Sequence, residues 1–246
     1  MLQLHDTMND IRLKEGVDMF AVLSAGIAPT LALMSFFYLK DRLDSEPLTT
    51  VFRTFLYGAL LVFPLMFIQY AFMEEGIGQT PLIRSFLLTG LMEEFFKWFI
   101  FLYTVYKYTD FDSLYDGIIY GVAISLGFAT VENLLYLLAH GVEYAFSRAI
   151  FPVSSHALFG VIMGYYLGRA KFLTKNVRRS QVLALLIPVS LHGFYDFILE
   201  AVPSWIYVMT PFMILLWMFA LRKVKLANQH EYKNVVVLTE KKSQIQ

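Results

Sequence analysis

The sequence contains no cysteine, and this absence excludes thiolate nucleophiles, thiolate metal sites and disulfides. It also lacks HExxH, the pattern that places two zinc-binding imidazoles one helical turn apart. Its serines form no strong nucleophile motif, although Ser155 beside His156 leaves a serine mechanism open. Any catalytic chemistry would therefore fall mainly to carboxylates and histidines.

Charge is scarce and balanced. Charged residues make up 16% of the chain, with 20 Lys and Arg against 20 Asp and Glu. Zero net charge and the lack of a basic run interleaved with aromatic residues argue against nucleic-acid binding. Hydrophobic residues make up 57% of the chain, and the mean hydropathy is +0.56. These values are typical of a polytopic protein embedded in membrane lipid.

Seven apolar segments are long enough to span a bilayer as helices. They lie at about 20–39, 51–73, 82–106, 115–139, 150–168, 181–199 and 205–221. The sequence therefore predicts an all-α fold, a polytopic membrane helix bundle of about seven transmembrane helices, with six to eight as the range. We divide the chain into an N-terminal extension at 1–18, expected to precede the true start, a transmembrane bundle at 19–225 and a polar cytoplasmic tail at 226–246.

Basic residues set the expected orientation. They concentrate in the first and fifth connections and after the last span, at Lys40, Arg42, Arg53, Arg169, Lys171, Lys175, Arg178, Arg179, Arg222, Lys223 and Lys225. Because cytoplasmic loops of membrane proteins carry an excess of Lys and Arg, these connections are predicted to be cytoplasmic. The N-terminus is then outside and the C-terminus in the cytoplasm.

The third span contains three ionisable residues within two turns, Glu93, Glu94 and Lys97. Each costs at least ~2.5 kcal/mol in hydrocarbon on the most lenient scale. Glu93 and Lys97 are separated by four residues and Glu94 and Lys97 by three, so either pair could be a structural ion pair. One lysine neutralises only one glutamate. The other carboxylate is a candidate general base.

Other spans carry further polar residues, namely Glu132 with Asn133, His156, and His192 with Asp196. At ~1.5 Å per residue, Glu132, His156 and His192 each lie roughly 9 to 10 Å inside the outer end of their helices. Glu93 comes out deeper, at roughly 16 Å. The shared level predicts that residues far apart in sequence meet in one place.

Small residues recur every fourth position in the fourth and fifth spans. The two series are Gly117, Gly121, Ser125 and Ala129, and Gly160, Gly164 and Gly168 after His156. Such ridges allow two membrane helices to approach closely, which predicts that His156 and Glu132 border a helix interface. His192 and Asp196 lie one turn apart on one face, where a carboxylate can orient an imidazole.

Five motifs of the chain closely resemble those of the PrsW proteases of Gram-positive bacteria. These motifs are EEFFKW at 93–98, YDGIIYG at 115–121, SLGFATVEN at 125–133, HAL at 156–158 and LHGFYDF at 191–197. The likeness runs from about residue 19 to residue 225 and so covers nearly the whole chain.

The resemblance implies an integral-membrane protease of the bacterial plasma membrane. Such a protease makes the first cut, at the extracytoplasmic side, in an anti-sigma factor that typically spans the membrane once, and the released sigma factor activates envelope-stress genes. PrsW proteases are in turn similar to the CAAX prenyl protease and bacteriocin-processing family. That wider signature is a glutamate pair, a histidine, and a second histidine four residues before Asn or Asp. Here it is carried by Glu93 with Glu94, His156, and His192 with Asp196.

Our hypothesis for the chemistry is that Glu93, helped by His156, deprotonates a water that attacks a peptide carbonyl near the outer leaflet. Glu94 would be held by Lys97. The sequence favours this assignment of the two glutamates hardly more than the reverse one. Adjacent helical residues point ~100° apart, so only one of them is expected to face the water.

Two further side chains complete the hypothesis. His192, oriented by Asp196, and also Asn133 would donate hydrogen bonds to the developing oxyanion. This mechanism needs no cofactor.

Three alternatives stay open. The first is a zinc metalloprotease, with Zn²⁺ bound by His156, His192, Glu93 and Glu132. The second is a proton-coupled transporter with a carboxylate and histidine relay, although the chain shows no internal repeat. The third is a bundle whose buried charges are only structural.

Overall fold

The computed structural model describes residues 2–41, 46–107, 111–173 and 176–243, and side chains between 19 and 232 within those ranges. These parts of the chain contain no strand and form seven long helices. Five are single elements: α1 (Leu2–Tyr38), α2 (Leu48–Glu74), α4 (Leu114–His140), α6 (Val177–Ala201) and α7 (Trp205–Ser243). Two are composite: α3 joins Pro81–Ile83, Arg84–Leu91 and Met92–Thr104, and α5 joins Val142–Tyr144, Ala145–Arg148, Ala149–Val153 and Ser154–Phe172.

The predicted all-α bundle of seven helices is confirmed. Six of the seven are long and apolar enough to cross a membrane. The remaining helix, α3, has the length but carries the charged residues Arg84, Glu93, Glu94 and Lys97. The helix whose insertion into a membrane is least favourable is therefore the one that carries the candidate catalytic carboxylates.

The outer helices extend beyond the predicted spans. α1 begins at Leu2, and α7 runs to Ser243. The segments at 1–18 and 226–246, which composition set apart, are thus helical continuations of the first and last spans wherever the structure describes them. Below, the end of the bundle with the α2–α3, α4–α5 and α6–α7 connections is called the upper end, and the opposite end the lower end.

α4 and α5 form the centre of the bundle. Every residue at 114–130 and at 153–168 is buried, as expected for helices surrounded by other helices. The predicted glycine ridges interlock: a Cβ on Gly121 would meet the carbonyl oxygen of Gly160, and one on Gly164 that of Gly117. The two backbones are therefore close enough to fix α5, and with it His156, against α4.

Each of the two composite helices contains a π-helical segment shortly before its candidate site residues. Arg84–Leu91 precedes Glu93, and Ala149–Val153 precedes His156. In the first segment the Thr89 hydroxyl oxygen lies 2.9 Å from the Ser85 carbonyl oxygen, and Pro152, which has no N–H, interrupts the second segment. The i→i+5 pattern places more residues in each turn than an α-helix and is frequent at functional sites.

α2 is packed along its lower part only. Its buried residues are Val51, Thr54, Gly58, Val62 and Leu65. Gly58 lies against the backbone of Ile124 in α4, where an added Cβ would collide with the carbonyl oxygen. None of the residues at 66–74 is buried. The upper third of α2 is thus held by few contacts.

We expect Gly164→Ala to destabilise the protein, because the new methyl group would strike the Gly117 backbone, which cannot change rotamer. Overpacking of this kind typically costs about 1–3 kcal/mol. Gly26→Ala is the matched control, since its methyl group meets mainly the flexible Leu134 side chain. Thermal denaturation in one detergent should show a lower midpoint for Gly164→Ala only. Equal midpoints for both variants would contradict the close α4–α5 packing.

Candidate active site

Four side chains from three helices meet inside the bundle. Glu93 and Glu94 come from α3, His156 from α5 and His192 from α6, and all four are buried. One oxygen or ring nitrogen from each lies within 4.8 Å of the others. The structure therefore brings together His156 and His192, which the sequence placed at a common level, with Glu94 and with Glu93, which the sequence placed deeper. The π-helical segment of α3 provides a reason for its smaller depth, since it advances less per residue than the ~1.5 Å assumed for an α-helix.

Lys97 lies at the centre of this group and is completely buried. Its Nζ is 2.8 Å from Glu94 Oε1 and 3.5 Å from Glu93 Oε2. It also lies 3.2 Å from His156 Nδ1 and 4.1 Å from the centre of the Phe128 ring. A buried ammonium is stable only when it is paired and hydrogen-bonded, and these contacts satisfy that condition.

The contacts of His156 fix its tautomer. A protonated lysine only donates, so Nδ1 of His156 accepts from Lys97. The other ring nitrogen, Nε2, then carries the hydrogen and donates to Glu132 Oε2 at 3.0 Å. Glu132 thus orients His156 in the way that carboxylates orient metal-bound or catalytic imidazoles.

His192 is held in a similar way by Glu94. Its Nδ1 donates to Glu94 Oε1 at 3.0 Å. Its Nε2 faces Asp196 Oδ2 at 3.4 Å and Glu93 Oε2 at 3.9 Å. The ring stacks on Phe159 with the centroids 5.1 Å apart. Two independent constraints therefore set the plane of this imidazole.

The two glutamates have different surroundings. Glu94 is fully buried, and its Oε1 contacts both Lys97 and His192. Its Oε2 is buried without a hydrogen-bond partner. Glu93 is held more loosely, with Gln69 Nε2 at 3.2 Å from Oε1 and no cationic nitrogen closer than the 3.5 Å contact to Lys97. Glu94 is therefore the anchored carboxylate and Glu93 the more available one.

Asp196 and Glu132 lie at the edge of the group, with side chains 24% and 27% exposed. They are the most accessible carboxylates of the cluster and mark where water reaches it. Thr89 Oγ1 donates to Asp196 Oδ2 at 2.5 Å and so ties α6 to the π-helical segment of α3. Asp196 in turn faces His192, as its i,i+4 spacing predicted.

Asn133 is directed elsewhere. Its amide nitrogen donates to the Gly26 carbonyl at 3.0 Å, and its oxygen accepts from Arg148 Nε at 2.9 Å. The side chain is thus engaged at both ends and does not contact the four clustered side chains. The structure gives it a role in holding α1 and Arg148 against α4, and does not support the predicted contact with an oxyanion.

Three residues at the site were missed in the sequence. Gln69 reaches Glu93 from α2, Thr89 holds Asp196, and Phe128 packs under the Lys97 ammonium. Gln69 is the only residue with a carboxamide in its span, and a polar side chain in an apolar span is a signal that could have drawn attention to it. Thr89 and Phe128 resemble ordinary membrane-helix residues and give no such signal.

The group is chemically suited to a divalent cation. Two imidazoles and carboxylates are a donor set that zinc prefers, and an oxygen of Glu94 is left without a partner. Each imidazole has one nitrogen held by a carboxylate, as in carboxylate–histidine–zinc arrangements. The nearby carboxylates outnumber the cationic side chains by two, with Glu93, Glu94, Glu132 and Asp196 against Lys97 and Arg148. One divalent ion would balance this excess.

Comparison with known proteins assigns the family. The family model described as "PrsW family intramembrane metalloprotease" matches residues 46–221. The chain is 56% identical to Protease PrsW of Bacillus subtilis over 210 residues, covering 85% of this chain and 96% of the relative. It is 53% identical to Protease PrsW of Oceanobacillus iheyensis, covering 88% and 100%, and 36% identical to that of Clostridioides difficile, covering 84% and 91%.

No solved structure matches the chain. The matched region contains all of the clustered side chains described above, and the relatives are named as proteases. The chain therefore belongs to the PrsW family of intramembrane proteases and is a multi-pass membrane peptidase.

Proposed function

We propose that this peptidase makes the first cut in a single-span anti-sigma factor, close to the extracytoplasmic face of the bacterial plasma membrane, with Glu93 as the general base. The observation that carries the proposal is the buried meeting of Glu93, Glu94, His156 and His192. The basic connections lie at the lower end, so the positive-inside rule puts the upper end outside, the N-terminus outside and the C-terminus in the cytoplasm.

The chain's own residues supply the proton transfers. A water entering past Glu132 and Asp196 gives a proton to Glu93, and its oxygen attacks the peptide carbonyl carbon. The carbonyl oxygen becomes an oxyanion that accepts from Nε2–H of His192 in its protonated form and from an N–H of Lys97 that is not engaged with Glu94. Collapse of the tetrahedral species breaks the C–N bond. Glu93 passes its proton to the leaving amine, so the base is regenerated.

The zinc-dependent form of this mechanism is the one that the donor set and the family description favour. His156, His192 and the unpartnered oxygen of Glu94 would hold the ion, with His156 Nδ1 giving up its contact with Lys97 for the metal, which leaves Glu93 free as the base. A zinc ion there would polarise the carbonyl and lower the pKa of its water. Glu132, predicted as a zinc ligand, instead bonds the outer nitrogen of His156 and would orient that ligand. The transporter alternative is not retained, because the chain belongs to a peptidase family.

The direct test is reconstitution of the purified protein in liposomes with a single-span anti-sigma factor as substrate. Mass spectrometry should find two fragments from a cut near the outer end of the substrate's span. A single-span protein of matched length with an unrelated sequence around its span is the control and should stay intact. No cut in the anti-sigma factor, or equal cutting of both proteins, would overturn the assigned substrate.

Glu93→Gln and Glu94→Gln should separate the roles of the two carboxylates. The carboxamide in Glu93→Gln cannot accept the proton, so this variant should lose about 10²–10⁴-fold in kcat. Glu94→Gln keeps an oxygen for Lys97 and His192 but loses a carboxylate, so its activity should be weakened and should recover partly with added zinc. Wild-type activity in both variants, measured on the same liposomes, would remove both carboxylates from the mechanism.

Metal analysis provides a separate prediction. We expect purified protein to hold about one zinc ion per chain, a stoichiometry lost in His156→Ala and His192→Ala but kept in Glu93→Gln. His140→Ala is the control, since His140 stacks on Tyr136 at the helix end, away from the site. Full activity after exhaustive chelation, with no zinc in the protein, would favour the metal-free form of the mechanism.

A further inference from the structure

The clustered side chains are closed off from the membrane on most sides, although their substrate must arrive from it. Glu93 is 4% exposed and Glu94 is not exposed at all. The edge near Glu132 and Asp196 is lined by carboxylates, which suits water and does not suit an apolar segment of a protein. A route for the substrate backbone must therefore open between two helices.

The side formed by α3 and α6 is firmly joined. Arg84 pairs with Glu200 at 2.5 Å near the upper end, and Thr89 bonds Asp196 further in. A Cβ on Gly90 would lie 3.0 Å from the Gly193 backbone nitrogen, so the two helices are in direct contact there. Separating α3 from α6 would break all of these contacts at once.

The other sides are equally closed. α4 and α5 interlock through their glycines, and the rings of His156 and His192 pack edge to face between α5 and α6 with centroids 5.0 Å apart. α1 is tied to α4 by the hydroxyl contact of Thr30 with Thr130 at 2.8 Å. The α4–α5 and α5–α6 interfaces contain backbone contacts or clustered site residues, so opening them would dismantle the site.

The seam between α2 and α3 is different. The last buried residue of α2 is Leu65, directly after Pro64, and none of the nine residues beyond it is buried. Proline weakens a helix at its position because it removes a backbone hydrogen bond. The polar link across this part of the seam is Gln69, whose Nε2 lies 3.0 Å from the Leu88 carbonyl oxygen and 3.2 Å from Glu93 Oε1.

We propose that the protein substrate reaches Glu93 from the membrane between α2 and α3, with the upper third of α2, residues 66–74, moving about Pro64 and with Gln69 as the latch that keeps it closed. The inference rests on the proposed function, since it takes Glu93 as the destination. Gln69 donates to Glu93, the proposed general base. Opening the seam therefore breaks this hydrogen bond and frees a Glu93 oxygen when the substrate enters.

The part of the substrate that enters between α2 and α3 is its apolar membrane-spanning segment, and one end of this segment is unwound into an extended backbone. Both helices carry exposed apolar side chains near this height of the bundle, among them Phe67 and Tyr70 on α2 and Phe95 and Phe99 on α3. They can pack against an apolar segment without burying any charge. Displacing Gln69 also exposes the Leu88 carbonyl, which offers a hydrogen-bond acceptor to an unwound substrate backbone.

Spin labels test the movement without using activity as the readout. The chain has no native cysteine, so labels attach only at Tyr70→Cys on the upper third of α2 and Leu138→Cys on α4, both exposed positions. In the Glu93→Gln background, whose side chain keeps an oxygen for Gln69, adding the anti-sigma substrate should produce a distance population longer by more than about 2 Å. The control pair, Leu60→Cys below Pro64 with Leu138→Cys, should show one unchanged distance.

Two variants test the hinge and the latch. Gln69→Met removes the amide at similar size, and the longer distance should then appear without substrate. Pro64→Ala restores the missing backbone donor, and kcat/KM for the protein substrate should fall at least about fivefold. Pro211→Ala, the same change inside α7, is the control and should leave kcat/KM unchanged.

The outcomes separate this inference from the proposed function. An unchanged distance with substrate, together with normal kcat/KM in Pro64→Ala, overturns the route between α2 and α3 even if Glu93→Gln is inactive. A substrate-induced longer distance supports the route even if Glu93→Gln turns out to be active, in which case only the role of Glu93 as the base fails.

Discussion

The pairing of the Lys97 ammonium with Glu94 is the interaction on which the rest of the site depends. Both side chains are fully buried, and their charged atoms are 2.8 Å apart. A charge in this environment is tolerated only when a partner compensates its lost hydration. Through Glu94, the pair also orients His192, and through Lys97 it fixes the tautomer of His156. One ion pair therefore fixes the orientation of His192 and the tautomer of His156.

The backbone serves this arrangement at two places. The glycine ridges of α4 and α5 bring the two central helices into contact, so that Glu132 on one reaches His156 on the other. The π-helical segments lie shortly before Glu93 and before His156, where a small change in helical register would turn the side chain away. Membrane helices tolerate such irregularity when neighbouring helices satisfy the displaced carbonyls, as Gln69 of α2 does for the Leu88 carbonyl in α3.

Much of this organisation could be read from the sequence. The seven apolar runs correspond to the seven long helices. The small residues at every fourth position correspond to the close α4–α5 contact, and the i,i+4 spacing of His192 and Asp196 corresponds to their contact in the site. Residues that act between helices distant in sequence were less accessible. Nothing local indicates that Gln69 reaches Glu93 or that Asn133 turns toward Gly26. The roughly 16 Å depth predicted for Glu93 assumed a uniform α-helical rise, whereas Arg84–Leu91 is π-helical and advances less per residue.

A double-mutant cycle on the buried ion pair tests the central claim most directly. Unfolding free energies in one detergent would be compared for the wild type, Lys97→Met, Glu94→Gln and the double variant. Removing Lys97 alone leaves the buried Glu94 carboxylate without its ammonium partner, which should cost about 3–5 kcal/mol. Adding Glu94→Gln should recover part of that loss, with a coupling energy above about 1 kcal/mol. Strictly additive losses would contradict the dependence of the site on this pair.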